Sequence, residues 1–343
     1  NLVSPVENRI KIVRTDRELE CPEVDATLRA MGAELVLLPE SVSESELVAE
    51  ARDADLLLMC YTPITAKVIE GATKLKAIIK YGVGIDAIDI EAAKARQVPV
   101  VNIPEYAEET VAEAAFGLLL ALAKKLIRID RQMHSSGWMW PVPNWLGSDI
   151  AGKTVGLIGV GKIGRGMARM AGQGFRANVL GCDPNVSKSE MENLGVQKCE
   201  LADLLSRSDF VSVHCVLNEG TKHIIGESEL AAMKDTAFLI NVSRGALVDE
   251  EALVAALKDG AIAGAGLDVY SQEPLAMTGH PMSDLYELPK VILLPHLAFY
   301  TNESMKRLTQ DTIERSKEIL AGEPVTIKSA DPRLQGQANC VYL

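Results

Sequence analysis

The chain has 343 residues and a formal net charge of −12. That length suggests about two domains, the acidic balance argues against nucleic acid or an anionic membrane as the main partner, and no apolar run is long and clean enough to span a bilayer. The N-terminus lacks the basic-then-apolar layout of a signal peptide, and the six cysteines (21, 60, 182, 199, 215 and 340) show no C-x-x-C spacing, so buried reduced thiols in a cytoplasmic protein are expected, with no metal site.

From Arg9 to Asn102 short apolar runs alternate with amphipathic segments. Residues 10–13, 33–38, 55–59, 77–81 and 98–101 read as strands, and 23–31, 43–51, 65–71 and 89–95 as helices. Ser43 with Glu46 three positions on is a capping-box start. This β-α alternation predicts a parallel sheet covered on both faces. Pro104 ends the pattern, and a single long helix is expected over 107–133, its alanine- and leucine-rich middle pointing to burial between domains. All three tryptophans, Trp138, Trp140 and Trp145, then fall in one proline-containing loop. That loop either packs its own aromatics or joins a subunit contact, where tryptophan is enriched.

At Thr154 the alternation resumes with an apolar strand, Val155 to Val160, running into Gly159, Gly161 and Gly164 in G-x-G-x-x-G spacing. A helical segment with Gly166, Ala168 and Ala171 follows, Gly174 ends it, and a second strand closes on Asp183. Each part has a physical role. Gly159 permits the tight turn, Gly161 lets a pyrophosphate approach the backbone, and Gly164 lets the helix pack on the strand. The helix N-terminus favours the anion, and Asp183 can accept hydrogen bonds from the adenosine ribose hydroxyls. Strand, helix and acid together make NAD the expected cofactor.

Further strands are expected at 210–215, 237–242, 261–267 and 291–294. A second long helix over 302–321 stops at Gly322 with Pro324 beyond. The predicted fold is α/β: two Rossmann/flavodoxin-like, doubly wound parallel-sheet domains joined by two long helices, with the active site in the cleft between them. Residues 1–104 with 298–328 form the substrate domain and 105–297 the NAD domain, leaving 329–343 as a tail. Arg244, Glu273 and His296 each lie just past a predicted strand of the second sheet. Singly they read as a surface charge, a turn residue and a satisfied histidine. Their shared position, the C-terminal edge where open α/β sheets bind ligands, makes them candidates for catalysis.

These residues carry a family likeness. The glycine motif with Asp183, Asn241-Val-Ser-Arg-Gly245, Asp268-Val-Tyr-Ser-Gln-Glu-Pro274, Pro295-His296 and Gly82-Val-Gly-Ile-Asp86 stand in order along residues 9–325. The chain resembles the D-isomer-specific 2-hydroxyacid dehydrogenases. His214-Cys-Val-Leu-Asn218 and Pro295-His-Leu-Ala-Phe-Tyr300 are most similar to the C-terminal-binding-protein branch, which carries Trp where this chain has Phe299.

The resemblance implies NAD-dependent reduction of a small 2-oxo acid, with a hydroxypyruvate- or glyoxylate-type substrate favoured. His296 would donate the proton, Glu273 would orient it and favour its charged form, and Arg244 would hold the carboxylate and stabilise the developing alkoxide. Lys162 and Ile163 within the glycine motif, with Thr110, His214, Asn218, Val242 and Asp268, would line the cofactor. Val83 and Gly84 would offer backbone N–H groups to the substrate carboxylate. Lys80, Tyr81 and Phe299 would meet the substrate's far end, Lys80 as a point charge. The alternative for Lys80 is a surface lysine. A homodimer is implied. The alternatives are a 3-phosphoglycerate dehydrogenase-type enzyme and an NADH-sensing corepressor-like scaffold.

Overall fold

The computed structural model describes residues 9–343. The chain divides into two compact units, one made by the residues up to Ala107 together with Thr301–Leu343, the other by Glu108–Tyr300.

The first unit begins as β1 (Lys11–Arg14), α1 (Pro22–Ala30), β2 (Glu34–Leu37), α2 (Glu44–Ala51), β3 (Leu56–Met59), α3 (Ala66–Gly71), β4 (Ala77–Lys80), α4 (Ile90–Ala95) and β5 (Val100–Asn102). All residues of β3, β4 and β5 are buried, as strands covered on both faces must be. The described strands pair in parallel in the order β2-β1-β3-β4-β5, the flavodoxin-like order. Ser43 and Glu46 form the capping box of α2. Thr65 and Asp89 cap α3 and α4 by accepting the N–H groups of Val68 and Ala92, so short polar side chains satisfy donors that the first helical turn cannot.

The second unit opens with α5 (Glu108–Ala123) and α6 (Leu126–Ser136). The single helix expected over 107–133 is therefore two. Lys125 takes a left-handed φ of 54°, and the chain returns to close the end of α5, where the Ser148 N–H donates to the Ala123 carbonyl at 2.7 Å. A Cβ at Gly147 would come 2.8 Å from that same oxygen. The break is made by a segment more than twenty residues away, which no local pattern announces. Helix α5 buries Ala112, Ala115, Leu119 and Leu122, whereas α6 buries no residue.

Then follow β6 (Thr154–Ile158), α7 (Lys162–Ala168), β7 (Asn178–Cys182), α8 (Lys188–Asn193), β8 (Val196–Lys198), α9 (Leu201–Arg207), β9 (Phe210–Val213), α10 (Glu227–Ala232), β10 (Phe238–Asn241), α11 (Glu250–Asp259), β11 (Gly264–Leu267) and β12 (Val291–Leu293). The sheet runs β12-β11-β10-β9-β6-β7-β8, all parallel. The order reverses between β6 and β9, which makes their C-terminal ends the switch point where such sheets bind dinucleotides. Neighbours along a strand part to opposite faces, Leu157 and Ile240 into one hydrophobic cluster, Ile158 and Leu239 into the other, the period-two alternation of a doubly covered sheet.

The first unit is completed by α12 (Asn302–Ala321), β13 (Val325–Ile327) and β14 (Cys340–Tyr342). Gly322 ends α12 at φ 75°, the left-handed stop expected of glycine. The last fifteen residues, read from sequence as a separate tail, are tied into this unit. Strand β14 pairs in parallel with β13, and the Gln337 side chain exchanges two hydrogen bonds with the Val100 backbone at 2.7 and 2.9 Å.

Candidate active site

The glycine loop sits at the switch point. Gly159 has φ 94°, and a Cβ there would lie 2.6 Å from Cys215 N; one at Gly164 would lie 2.4 Å from the Gly159 carbonyl. Both positions exclude any side chain. At Gly161, by contrast, a Cβ would meet nothing within 4 Å, so the backbone there stays open to a closely approaching group. Helix α7 continues directly into a π-helical stretch, Arg169–Gly174.

Asp183, past the end of β7, is aimed by this loop: its Oδ2 accepts the Val160 N–H at 2.8 Å, and its Oδ1 accepts that of Asn185, also at 2.8 Å. Open backbone at Gly161 and an oriented carboxylate at the neighbouring strand end fit the pyrophosphate and ribose of a dinucleotide. The Lys162 ammonium pairs with Glu108 at 3.0 Å, so what Lys162 can offer a phosphate is its backbone at the start of α7. Ile163 packs against the apolar cluster, Val242 is buried beyond β10, and Thr110 is buried in the first turn of α5. Asn218 is exposed and turns its Oδ1 onto the Gly220 N–H at 2.9 Å.

His214, just past β9, has its Nε2 2.8 Å from Ser212 Oγ, while Nδ1 is enclosed with no partner among the described residues. Burial pushes the imidazole down to about 4, because the charged ring would lose its solvation.

At the ends of β10, β11 and β12 three loops converge. Glu273 Oε2 lies 2.7 Å from His296 Nδ1, and Glu273 Oε1 accepts the Tyr270 N–H at 2.9 Å. Burial alone would raise the Glu273 carboxyl. The His296 hydrogen bond and charge, the Tyr270 N–H and the Arg244 charge outweigh it and hold the group below its ordinary value. Arg244 is set by its loop: Asn241 Nδ2 donates to the Arg244 carbonyl at 2.9 Å, and Asn241 Oδ1 accepts the Ser243 N–H at 3.1 Å. A Cβ at Gly245 would fall 2.0 Å from the Tyr270 carbonyl carbon, so only glycine lets the arginine loop pack on the glutamate loop.

Asp268 has a role that sequence reading missed. Its two oxygens accept the N–H groups of Leu297 and Ala298 at 2.8 and 2.9 Å. The carboxylate braces the histidine loop, in which His296 adopts a left-handed φ of 56°, a role beside the cofactor contact expected of it. Burial raises the Asp268 carboxyl, partly offset by those two N–H groups. Tyr270 joins the brace, its hydroxyl donating to the Leu294 carbonyl at 2.9 Å. Phe299 is largely buried and stands edge-on to the His296 ring, centroids 6.5 Å apart.

The remaining candidates belong to the first unit. Gly82 has φ 151°, its carbonyl accepts the Ile103 N–H at 2.9 Å, and the Val83 carbonyl accepts Asn102 Nδ2 at 2.7 Å. Two carbonyls of the loop are thereby tied down, and Val83, beside Gly84, is exposed. Tyr81 turns inward: it is 2% exposed, and its hydroxyl donates to the Thr15 carbonyl at 2.7 Å. The expectation that its side chain reaches substrate is corrected by that buried bond. Lys80 is 7% exposed and so no surface lysine; its Nζ donates to the Cys60 carbonyl. The six cysteines are unpaired thiols, of which Cys21 and Cys60 are buried. Among the described residues, no helix is long and apolar enough to cross a membrane.

Comparison with known proteins gives a consistent picture. Residues 116–298 match the family described as D-isomer specific 2-hydroxyacid dehydrogenase, NAD binding domain. The glyoxylate reductase of Korarchaeum cryptofilum is 40% identical over 284 residues, 82% of this chain and 84% of that protein. The D-3-phosphoglycerate dehydrogenase of Methanocaldococcus jannaschii is 38% identical over 285 residues, 82% of this chain but 53% of that longer protein. The D-lactate dehydrogenase of Aquifex aeolicus, solved with NAD and lactic acid, superposes with a TM-score of 0.81 at 30% identity, covering 91% of this chain and 96% of that one. With a switch-point glycine loop, an oriented acid past the neighbouring strand and three strand-end loops bearing Arg, Glu and His, the chain belongs to the D-isomer-specific 2-hydroxyacid dehydrogenase family and is an NAD-dependent oxidoreductase acting on a CH–OH group.

Proposed function

We propose that the protein reduces a small 2-oxo acid of the glyoxylate or hydroxypyruvate type to the D-2-hydroxy acid, with Arg244, Glu273 and His296 as its catalytic residues. The observation that carries this is the 2.7 Å pairing of His296 Nδ1 with Glu273 Oε2. Glu273 engages one ring nitrogen, which fixes the ring and assigns proton delivery to Nε2. NAD, when bound, supplies or takes up the hydride. Arg244 presents a planar, permanently charged fork to the substrate carboxylate and lends its field to the carbonyl oxygen as that atom gains negative charge. The backbone N–H groups of Val83 and Gly84 are offered to a substrate carboxylate, and Lys80 supplies positive charge for groups beyond C2. Gly159, Gly161, Gly164 and Asp183 hold the dinucleotide, with the backbone of Lys162 and Ile163 at its phosphates and Thr110, His214, Asn218, Val242 and Asp268 around it. The similarity to a glyoxylate reductase supports the substrate class.

A panel of 2-oxo acids with NADH, followed by the loss of NADH absorbance, tests this. Turnover of glyoxylate and hydroxypyruvate ahead of pyruvate is the expected result; no consumption with any 2-oxo acid would overturn the reading. The Methanocaldococcus relative supports a second reading, a phosphoglycerate dehydrogenase-type enzyme, so phosphohydroxypyruvate belongs in the panel. A homodimer is proposed as well, supported by the exposed apolar side chains of Leu126, Met133, Trp138, Trp140 and Leu146.

A further inference from the structure

The C-terminal ends of β1, β3 and β4 lie side by side in the five-stranded sheet, the edge at which open parallel sheets take ligands. Just past β1, Asp16 is 2% exposed and holds a left-handed φ of 56°. A residue other than glycine keeps that conformation where its surroundings over-determine it, and here they do. Asp16 Oδ2 accepts the N–H groups of Cys60 at 2.8 Å and Tyr61 at 3.0 Å, and the Thr15 hydroxyl at 2.6 Å. Its Oδ1 accepts the N–H and hydroxyl of Thr62 at 3.1 and 2.9 Å. One buried carboxylate thus organises the whole loop beyond β3.

Lys80, the last residue of β4, meets that loop from the other side. Its Nζ donates to the Cys60 carbonyl, lies 3.6 Å from Cys60 Sγ and stands 5.3 Å from the centre of the Tyr61 ring. The Cys60–Tyr61 peptide unit therefore carries both charges, its N–H on Asp16 and its C=O on Lys80. A buried ammonium is costly unless compensated, and a polarised peptide between two opposite charges strengthens both of its hydrogen bonds.

We propose that Asp16 is a positioning residue for substrate recognition. Through the Cys60–Tyr61 peptide it fixes where the Lys80 ammonium and the Tyr61 ring stand. It thereby sets affinity for the part of a 2-oxo acid beyond C2, and takes no part in proton or hydride transfer. The specificity clause rests on the function proposed above.

Asparagine keeps the shape of aspartate and tolerates left-handed backbone, so Asp16→Asn removes the charge. The KM for hydroxypyruvate is expected to rise about tenfold, the scale of one charged hydrogen-bond network. The kcat, and the KM for glyoxylate, which has no carbon beyond C2, should stay within about threefold. An equal rise for both substrates, or a loss that falls on kcat, overturns the proposal. In the double variant Asp16→Asn/Lys80→Met the KM should be no worse than in the more affected single variant, since the two act as one unit; multiplying effects overturn it.

Thermal unfolding of the same four proteins gives a readout independent of turnover: the Tm losses should be non-additive, and additive losses overturn the coupling. Should the wild type consume no 2-oxo acid, the functional reading and the specificity clause fail together, and the Tm cycle still decides whether Asp16 acts through Lys80. If Asp16→Asn does not fold, Thr62→Val removes one donor to Asp16 instead. A rise of about threefold in the hydroxypyruvate KM alone is then expected, and no change overturns the proposal.

Discussion

Glu273 joins His296 to the fold: one carboxylate oxygen is 2.7 Å from His296 Nδ1 and the other takes the Tyr270 N–H at 2.9 Å. Burial would raise the Glu273 carboxyl, but the partner's hydrogen bond and charge hold it lowered. The pair therefore acts as one unit that holds the ring in place. Glu273→Gln removes the negative charge and leaves the ring with a weaker, uncharged partner. Reductase kcat/KM should fall roughly tenfold, with the loss in kcat and little change in NADH affinity. A kcat/KM within about twofold of wild type refutes the pairing as functional.

His296→Ala removes the proposed proton donor without touching the glycine loop. Turnover should fall roughly 100-fold or more while NADH affinity, measured by fluorescence titration, changes little. Survival of turnover within a few-fold of wild type would place the donor elsewhere.

Asp183 should select NAD over NADP. Its carboxylate is held by the Val160 and Asn185 N–H groups, a 2′-phosphate would meet that fixed negative charge, and residues 184–187 (Pro-Asn-Val-Ser) offer no arginine to offset it. A preference of at least about tenfold in kcat/KM, equivalent to about 1.4 kcal/mol, is expected. Equal efficiency with both cofactors contradicts this.

Trp138 and Trp140 are 74% and 75% exposed and stack edge to face with centroids 6.2 Å apart. A loop packing its own aromatics would bury them, so a subunit contact is the better account of two such large apolar rings in water. Replacing both with serine should shift the mass in solution from dimer to monomer. An unaffected dimer, or a monomeric wild type, removes the idea.

His214 should make stability fall in mild acid. Its folded value is depressed to about 4, below the ordinary histidine value of about 6.5, so the unfolded chain binds a proton that the folded protein excludes. This contribution is fully present above about pH 6.5 and is lost as pH falls toward 4, by about 2 kcal/mol at pH 5. His214→Gln should lose less stability than wild type between pH 7 and pH 5 in urea unfolding. An identical loss in both proteins would falsify this assignment.

The sequence by itself determined the features whose physics is local. Alternating apolar runs and helical segments gave two parallel α/β sheets. Ser43 with Glu46 marked a helix start, and Gly322 a helix stop. Gly159, Gly161 and Gly164 between a strand and a helix, with Asp183 just past the next strand, marked the glycine turn and the acid beside it. Each signal lies within a few residues of what it specifies or in one βαβ unit, so propensity and spacing suffice. Tertiary structure decided whatever depends on which strand ends become neighbours. Only the adjacency of β10, β11 and β12 brings Gly245 onto Tyr270 and turns Asp268 to the backbone of Leu297 and Ala298. Only the adjacency of β1, β3 and β4 buries Tyr81 on Thr15 and lets Asp16 and Lys80 grip one peptide from opposite ends. A side chain's partner across a parallel sheet is set by topology, which sequence spacing does not encode; the break at Lys125, closed by Ser148, follows the same rule.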